Sequence, residues 1–164
     1  MPKSKLVLEY GCSIGIMTSF LANSNQNVFG IDRSFSAISV AKKIQKDNLD
    51  YFVADLMSDV FGKTKFDLIL ALNVLELVEP KGLLKYISQQ IPKGHFVISD
   101  PYDFDRGKNS VKNPLDELTL RTSLEELGFT ISVKTKKPSY LTWNLKLNPR
   151  STLNYKVDLI IAKK

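Results

Sequence analysis

Cysteine and histidine are nearly absent from this chain: Cys12 and His95 are the only ones in 164 residues. A single cysteine excludes an internal disulfide and fits a reducing, cytoplasmic setting. Cys12 has no cysteine or histidine companion, so no metal site is expected. No apolar run reaches the roughly 18 residues a membrane helix needs, so no membrane partner is expected. Met1-Pro2-Lys3-Ser4-Lys5 is too short and polar for a signal peptide. Low-complexity tracts, internal repeats and a compositional break between domains are also missing, which predicts one domain over residues 1–164.

What is present is ordinary globular composition, 43% hydrophobic and 24% charged, enough to bury a core without staples. The net charge is +6. The lysines are spread along the chain, so the excess permits RNA or another polyanion as a partner without specifying one.

The chain is organised around Leu6-Val7-Leu8-Glu9-Tyr10-Gly11-Cys12-Ser13-Ile14-Gly15. A near-continuous apolar run enters a glycine turn, as a buried parallel strand does before a helix. Ile14, Met17, Phe20 and Leu21 recur at helical spacing and predict a helix to Ala22. Val28 to Ile31 is a second strand with Asp32 at its tip. Ser34 or Ser36 can cap a second helix, whose apolar face is Ala37, Val40, Ala41 and Ile44. Leu49 to Ala54 is a third strand ending at Asp55, and Phe66 to Leu72 a fourth.

Pro80 opens a helix to Ile91, and His95 to Ser99 is a fifth strand. Asp100 to Asn113 reads as a long polar loop, and a helix then starts at Pro114 and stops at Gly128. Phe129 to Thr135 reads as a strand, Lys136 to Arg150 as irregular, and Leu153 to Ala162 as a last strand. Two final strands without an intervening helix predict an antiparallel hairpin closing an otherwise parallel sheet.

Three chemistries compete for the glycine turn. Gly11-Cys12-Ser13-Ile14-Gly15 matches the G-x-S-x-G of a hydrolase elbow, but the only histidine is embedded in an apolar strand. The elbow would also follow several strands, not the first. The dinucleotide fingerprint G-x-G-x-x-G fits poorly, because Ser13 and Ile16 stand where its second and third glycines belong. What remains is acid-x-Gly-x-x-x-Gly, formed by Glu9, Gly11 and Gly15.

With Asp32, Asp55 and the run Phe66-Asp67-Leu68-Ile69-Leu70-Ala71-Leu72-Asn73-Val74-Leu75-Glu76-Leu77, this pattern resembles the class I S-adenosylmethionine-dependent methyltransferases. Their first motif is acid-x-Gly-x-Gly-x-Gly, from which Ser13 departs. Acids follow their second and third strands, and an F-D-L-I strand leads to V-L-E-H. The resemblance covers nearly the whole chain.

It implies an α/β fold, a three-layer αβα sandwich around a seven-stranded, mostly parallel Rossmann-like sheet with a C-terminal antiparallel hairpin. It also implies methyl transfer from S-adenosyl-L-methionine, with S-adenosyl-L-homocysteine as product, by direct displacement to an unidentified small-molecule, RNA or protein acceptor.

By the same resemblance, Glu9, Gly11, Cys12, Ser13, Gly15, Asp32, Arg33, Asp55, Leu56 and Asn73 hold the cofactor. Asp32 takes the ribose hydroxyls and Asp55 the adenine amino group, with Leu56 or Met57 against the ring. Ala71 and Asn73 lie near the methionine end, whose carboxylate can use N–H groups near the first helix.

For the acceptor, Tyr102, Asp103, Asp105 and Arg106 are the polar candidates in the loop after strand five, and Trp143 a candidate wall. Leu77 stands where many family members carry a histidine, so no catalytic residue is assigned, and alignment and desolvation are expected to carry the reaction. Few residues precede Lys5, where family members usually place a covering helix. The expectation is a fragment, a minimal member, or a chain completed by a partner subunit or homodimer. A non-catalytic cofactor-binding subunit is the alternative function, and an NAD-linked oxidoreductase a more remote one.

Overall fold

The computed structural model describes residues 4–103 and 107–164. Among them, eight strands form one sheet: β1 (Leu6–Tyr10), β2 (Asn27–Asp32), β3 (Leu49–Val53), β4 (Leu68–Leu72), β5 (His95–Asp100), β6 (Thr130–Ile131), β7 (Tyr140–Asn148) and β8 (Ser151–Lys163). The strand order is β3-β2-β1-β4-β5-β8-β6, with β7 paired to β8 off this path. β1 to β5 are parallel, and β8 runs antiparallel to β5, β6 and β7. The order reverses at β1 and β4, so the strand tips there open a crevice, the usual ligand position in an open α/β sheet.

Four α-helices of the described residues cover the sheet: α1 (Ile16–Ala22), α2 (Phe35–Ala41), α3 (Pro80–Gln90) and α4 (Glu117–Glu126). Leu21 and Ala22 of α1 and Ile38 and Ala41 of α2 pack with Val7, Val28, Leu68 and Leu70 on one face. Leu83, Leu84 and Ile87 of α3 and Leu120 and Leu124 of α4 pack with Leu8, Ile69, Phe96 and Ile160 on the other. This is the expected three-layer sandwich, because alternate residues of strands buried on both faces feed both cores. Each fully buried Leu or Ile contributes roughly 1.5–3 kcal/mol.

The capping residues explain the helix starts. Ser34 accepts the N–H of Ala37 through its hydroxyl, Glu79 accepts from Lys81 and Gly82 in front of Pro80, and Asp116 forms a reciprocal capping box with Thr119. α2 ends at Ala41 instead of reaching Ile44, because the N–H groups of Lys43 and Ile44 turn back to Val40 and Ala41.

The largest departures lie at the C-terminus. Lys136 to Arg150 contains β7, which makes eight strands instead of seven. The last strand starts at Ser151, not Leu153, and β6 is only Thr130–Ile131. β8 pairs antiparallel with β6, the two strands expected to close the sheet, and in addition forms a hairpin with β7. Every residue of β7 is exposed, so the strand rests on pairing with β8 and not on core burial. Asp158 of β8 lies opposite Asp100, the last residue of β5. The half of β8 before Asp158, and β7 with it, thus projects past the carboxyl edge of the parallel strands.

Candidate functional site

The site grows from the glycine turn between β1 and α1. Gly11 and Gly15 have φ of +69° and +79°, and Ser13 has +49°. A Cβ on Gly11 would stand 2.3 Å from Cγ1 of Val74, and one on Gly15 would stand 2.5 Å from the Tyr51 hydroxyl. Both positions therefore need glycine for conformation and for space. The turn is closed by Gly15 N–H donating to the Cys12 carbonyl at 2.9 Å and anchored to β2 by Cys12 N–H donating to the Ile31 carbonyl at 3.0 Å.

Asp32 stands beside this turn at the end of β2. Its Oδ2 accepts the N–H of Ser13 at 2.9 Å and its Oδ1 the N–H of Ser34 at 2.8 Å. Each carboxylate oxygen keeps further acceptor capacity, which suits two neighbouring hydroxyls. Asp55 is exposed after β3. One of its oxygens accepts the N–H of Met57 at 2.8 Å. Leu56 beside it is buried. Asn73, with φ of +56°, is held at the tip of β4, its Oδ1 accepting from Ser99 Oγ at 2.9 Å.

These elements enclose a cavity of about 310 Å³ lined by Gly11, Ser13, Asp32, Arg33, Asp55, Leu56 and Asn73, together with Leu72, Val74, Leu77 and Val78. Two strand-tip carboxylates across an apolar wall fit a nucleoside: one for ribose hydroxyls, one for the base amino group, Leu56 for the base plane. The residues present thus fit S-adenosylmethionine.

Glu9, Cys12 and Gly15 are placed beneath this cavity, not on its wall. Glu9 is 4% exposed and its Oε2 accepts the Thr18 hydroxyl at 2.5 Å. Burial raises its carboxyl to about 7, with Asp32 adding to the rise and the Thr18 bonds opposing it. Glu9 therefore ties the end of β1 to α1 under the turn. Burial also pushes the Cys12 thiol up to about 12, far from thiolate chemistry. Ala71 lies in the core.

Among the described residues, the acceptor candidates are not gathered at the cavity wall. Tyr102, with φ of +54°, donates its hydroxyl to Asp158 Oδ2 at 2.8 Å. Asp103 is half-buried in the same segment. Trp143 stacks on Tyr155 across the β7–β8 hairpin, ring centres 5.2 Å apart. Asp105 and Arg106 lie outside the described residues. His95 pairs with Leu68, at the opposite edge of the sheet from Asn73.

Three wall residues, Leu72, Val74 and Val78, carry no assignment from the sequence, and Leu77 stands out there only as the position where family members carry a histidine. Their signal is position at or just past the end of the fourth strand, since residue type alone does not separate an apolar wall from a core. By sequence, Asp100 opens the loop to Arg106 that is expected to face the acceptor. It is 2% exposed at the end of β5, and burial, with Glu76, Asp158 and Asp103 nearby, raises its carboxyl to about 7.

A family model described as a methyltransferase domain matches residues 1–132. The ubiquinone biosynthesis O-methyltransferase of Coxiella burnetii is 33% identical over 96 residues, 56% of this chain and 41% of that protein. The mitochondrial ubiquinone biosynthesis O-methyltransferase of Schizosaccharomyces pombe is 31% identical over 103 residues, 58% of this chain and 37% of that protein. The chain thus matches about two fifths of the length of these relatives.

Among solved structures, an S-adenosylmethionine-dependent methyltransferase from Mesorhizobium loti superposes with a TM-score of 0.72 at 19% identity, covering 99% of this chain and 91% of that one. The magnesium protoporphyrin IX methyltransferase of Synechocystis with bound S-adenosylmethionine gives 0.68 at 19% identity, covering 99% and 71%. A putative methyltransferase of Haloferax volcanii, in complex with a methyltransferase activator, gives 0.78 at 13% identity, covering 99% and 83%. With the family model spanning most of its length and the strand-tip acids flanking the glycine turn, the chain belongs to the class I S-adenosylmethionine-dependent methyltransferases.

Proposed function

We propose that this chain binds S-adenosylmethionine in the Gly11–Asp32–Asp55 cavity and methylates an oxygen of a small-molecule acceptor in a reducing, cytoplasmic setting. The observation that carries the reading is Asp32, which fixes the glycine turn through Ser13 and still faces the cavity. When bound, S-adenosylmethionine supplies an electrophilic sulfonium methyl group. Asp32 and Asp55 would orient the nucleoside, Leu56 would hold the base, and Asn73 would stand at the β4 tip near the reacting end. Leu72, Val74 and Leu77 form an apolar wall that displaces water, which strengthens the remaining polar contacts. The preference for oxygen rests on the relatives named O-methyltransferases.

Incubating the chain with tritiated S-adenosylmethionine and separate metabolite, RNA and protein fractions tests this reading. Label in a metabolite product whose methyl group sits on oxygen by its NMR shift supports it, and label confined to RNA or protein overturns the acceptor class.

A second reading, that the chain works with another subunit or a second copy, is favoured by α1, whose Ile16 and Phe20 are 69% and 66% exposed. A neighbour of the same fold is seen with an activator. Methyl transfer that appears only when a second protein is added would favour it.

A further inference from the structure

The β7–β8 ribbon takes no part in the cavity, yet it stands at the same carboxyl edge of the sheet as Asp32 and Asn73. Its register places Leu141 opposite Val157, Trp143 opposite Tyr155 and Leu145 opposite Leu153. Directly paired residues share a face, so one side of the ribbon is aliphatic and aromatic. The other side pairs Thr142 with Lys156, Asn144 with Asn154 and Lys146 with Thr152. Val157 is buried where the ribbon meets the domain, but Leu141, Trp143, Leu145 and Leu153 are 56%, 46%, 40% and 39% exposed. Soluble monomers rarely leave a continuous apolar face open without a use.

Charge indicates what covers it. Residues 127–157 contain Lys134, Lys136, Lys137, Lys146, Arg150 and Lys156 and no carboxylate at all. Two copies joined through this face would bring two such cationic segments together, which argues against self-association. Single-stranded nucleic acid asks for open aromatic faces, but Trp143 is already stacked on Tyr155 at 23°, and most of the remaining surface is leucine hydrocarbon. An apolar face with Trp and Tyr, with Arg150 at its turn and Lys146 and Lys156 on the reverse side of the same thin ribbon, instead matches the chemistry of an anionic bilayer surface.

We propose that the β7–β8 ribbon seats the carboxyl edge of this domain on an anionic lipid surface. Leu141, Trp143, Leu145 and Leu153 enter the headgroup boundary. Arg150 at the turn, and Lys146 and Lys156 reaching round the ribbon, meet the headgroup phosphates. The ribbon is one strand layer thick, so these charges stay within about a Debye length, roughly 8 Å, of the surface. Such contact lies on a membrane, and it is consistent with no described helix being long and apolar enough to cross one. It goes beyond the methyl-transfer reading and stands or falls without it.

Trp143 is the only tryptophan, so its fluorescence reports the ribbon directly. The full chain is titrated with vesicles of phosphatidylcholine alone and of phosphatidylcholine with equal phosphatidylglycerol. The expected result is a blue shift, quenching by brominated lipid, and at least roughly tenfold tighter binding to the anionic vesicles, lost at high salt. Leu141→Asn with Leu145→Asn removes the shift and weakens binding by roughly tenfold or more. Phe35→Asn, at an even more exposed apolar site on α2, changes neither. Lys146→Glu with Lys156→Glu weakens binding to anionic vesicles alone. Binding that survives the leucine changes, an unshifted Trp143 on anionic vesicles, a blue shift that grows with protein concentration without lipid, or tighter binding to RNA than to vesicles would each overturn the proposal.

Discussion

The backbone N–H of Ser13 donates to Oδ2 of Asp32 at 2.9 Å, joining the turn after β1 to the tip of β2. One carboxylate thus shapes the glycine turn and faces the nucleoside cavity. Asp32→Ala removes a charged acceptor from both partners. Affinity for S-adenosylhomocysteine, read by calorimetry, is expected to fall by roughly tenfold or more, with Asp32→Asn in between. Unchanged affinity in the alanine variant would reduce Asp32 to a structural tie for the turn.

Gly11 and Val74 are in closest approach at the cavity floor. Gly11→Ala adds a methyl 2.3 Å from Val74 Cγ1 at a φ of +69°. Overpacking and left-handed strain together predict a loss of about 2–4 kcal/mol in urea unfolding. Adding Val74→Ala removes the clash but not the backbone strain, so the pair recovers part of the clash cost. A double variant with no recovery would show that the crowding is not the cause.

Glu9 gives a pH dependence with a definite sign. Its carboxyl rises from an ordinary 4.5 to about 7 in the folded chain, chiefly by burial. The folded state therefore holds a proton that the unfolded state releases, and stability falls as pH rises from 4.5 to about 7. Asp100, raised from 3.8 to about 7, acts in the same direction. Glu9→Gln keeps an acceptor for Thr18 but does not ionise. Melting temperature followed across this range is expected to decline less steeply in Glu9→Gln, and less steeply still with Asp100→Asn added. Parallel profiles for the variant and the parent would contradict the assignment.

Asp158 and Arg121 close the base of the ribbon. Arg121 Nη1 and Nη2 donate to the two Asp158 oxygens at 2.7 and 3.1 Å, with both side chains buried. Asp158→Ala leaves a buried guanidinium without its counterion, and a loss of about 3–5 kcal/mol is expected. Asp158→Leu with Arg121→Met removes both charges and should cost less than the single change. Urea midpoints distinguish the two, and a double variant worse than the single one would refute this view of the pair.

Much of this was legible before folding. Leu6 to Tyr10, Val28 to Ile31 and Leu68 to Leu72 are buried on both faces, so their apolar runs mark strands directly. Gly11, Asp32 and Asp55 were legible because each occupies a strand end, where type and position carry the same message. β7 was not, although Leu141, Trp143 and Leu145 alternate with polar residues. Pro138 and Pro149 break up the segment, and its order comes from a partner strand instead of a core. Tyr102 and Trp143 are candidates for acceptor contact by their place in segments that read as loops. Their contacts with Asp158 and Tyr155 are to residues distant in sequence and leave no local pattern.

The most direct test titrates the chain with S-adenosylhomocysteine and, separately, with NAD in a calorimeter. Saturable one-to-one binding of S-adenosylhomocysteine, weakened in Asp32→Ala and absent for NAD, is the expected result. Binding of NAD without S-adenosylhomocysteine would contradict the assignment of this cavity to the methyl donor.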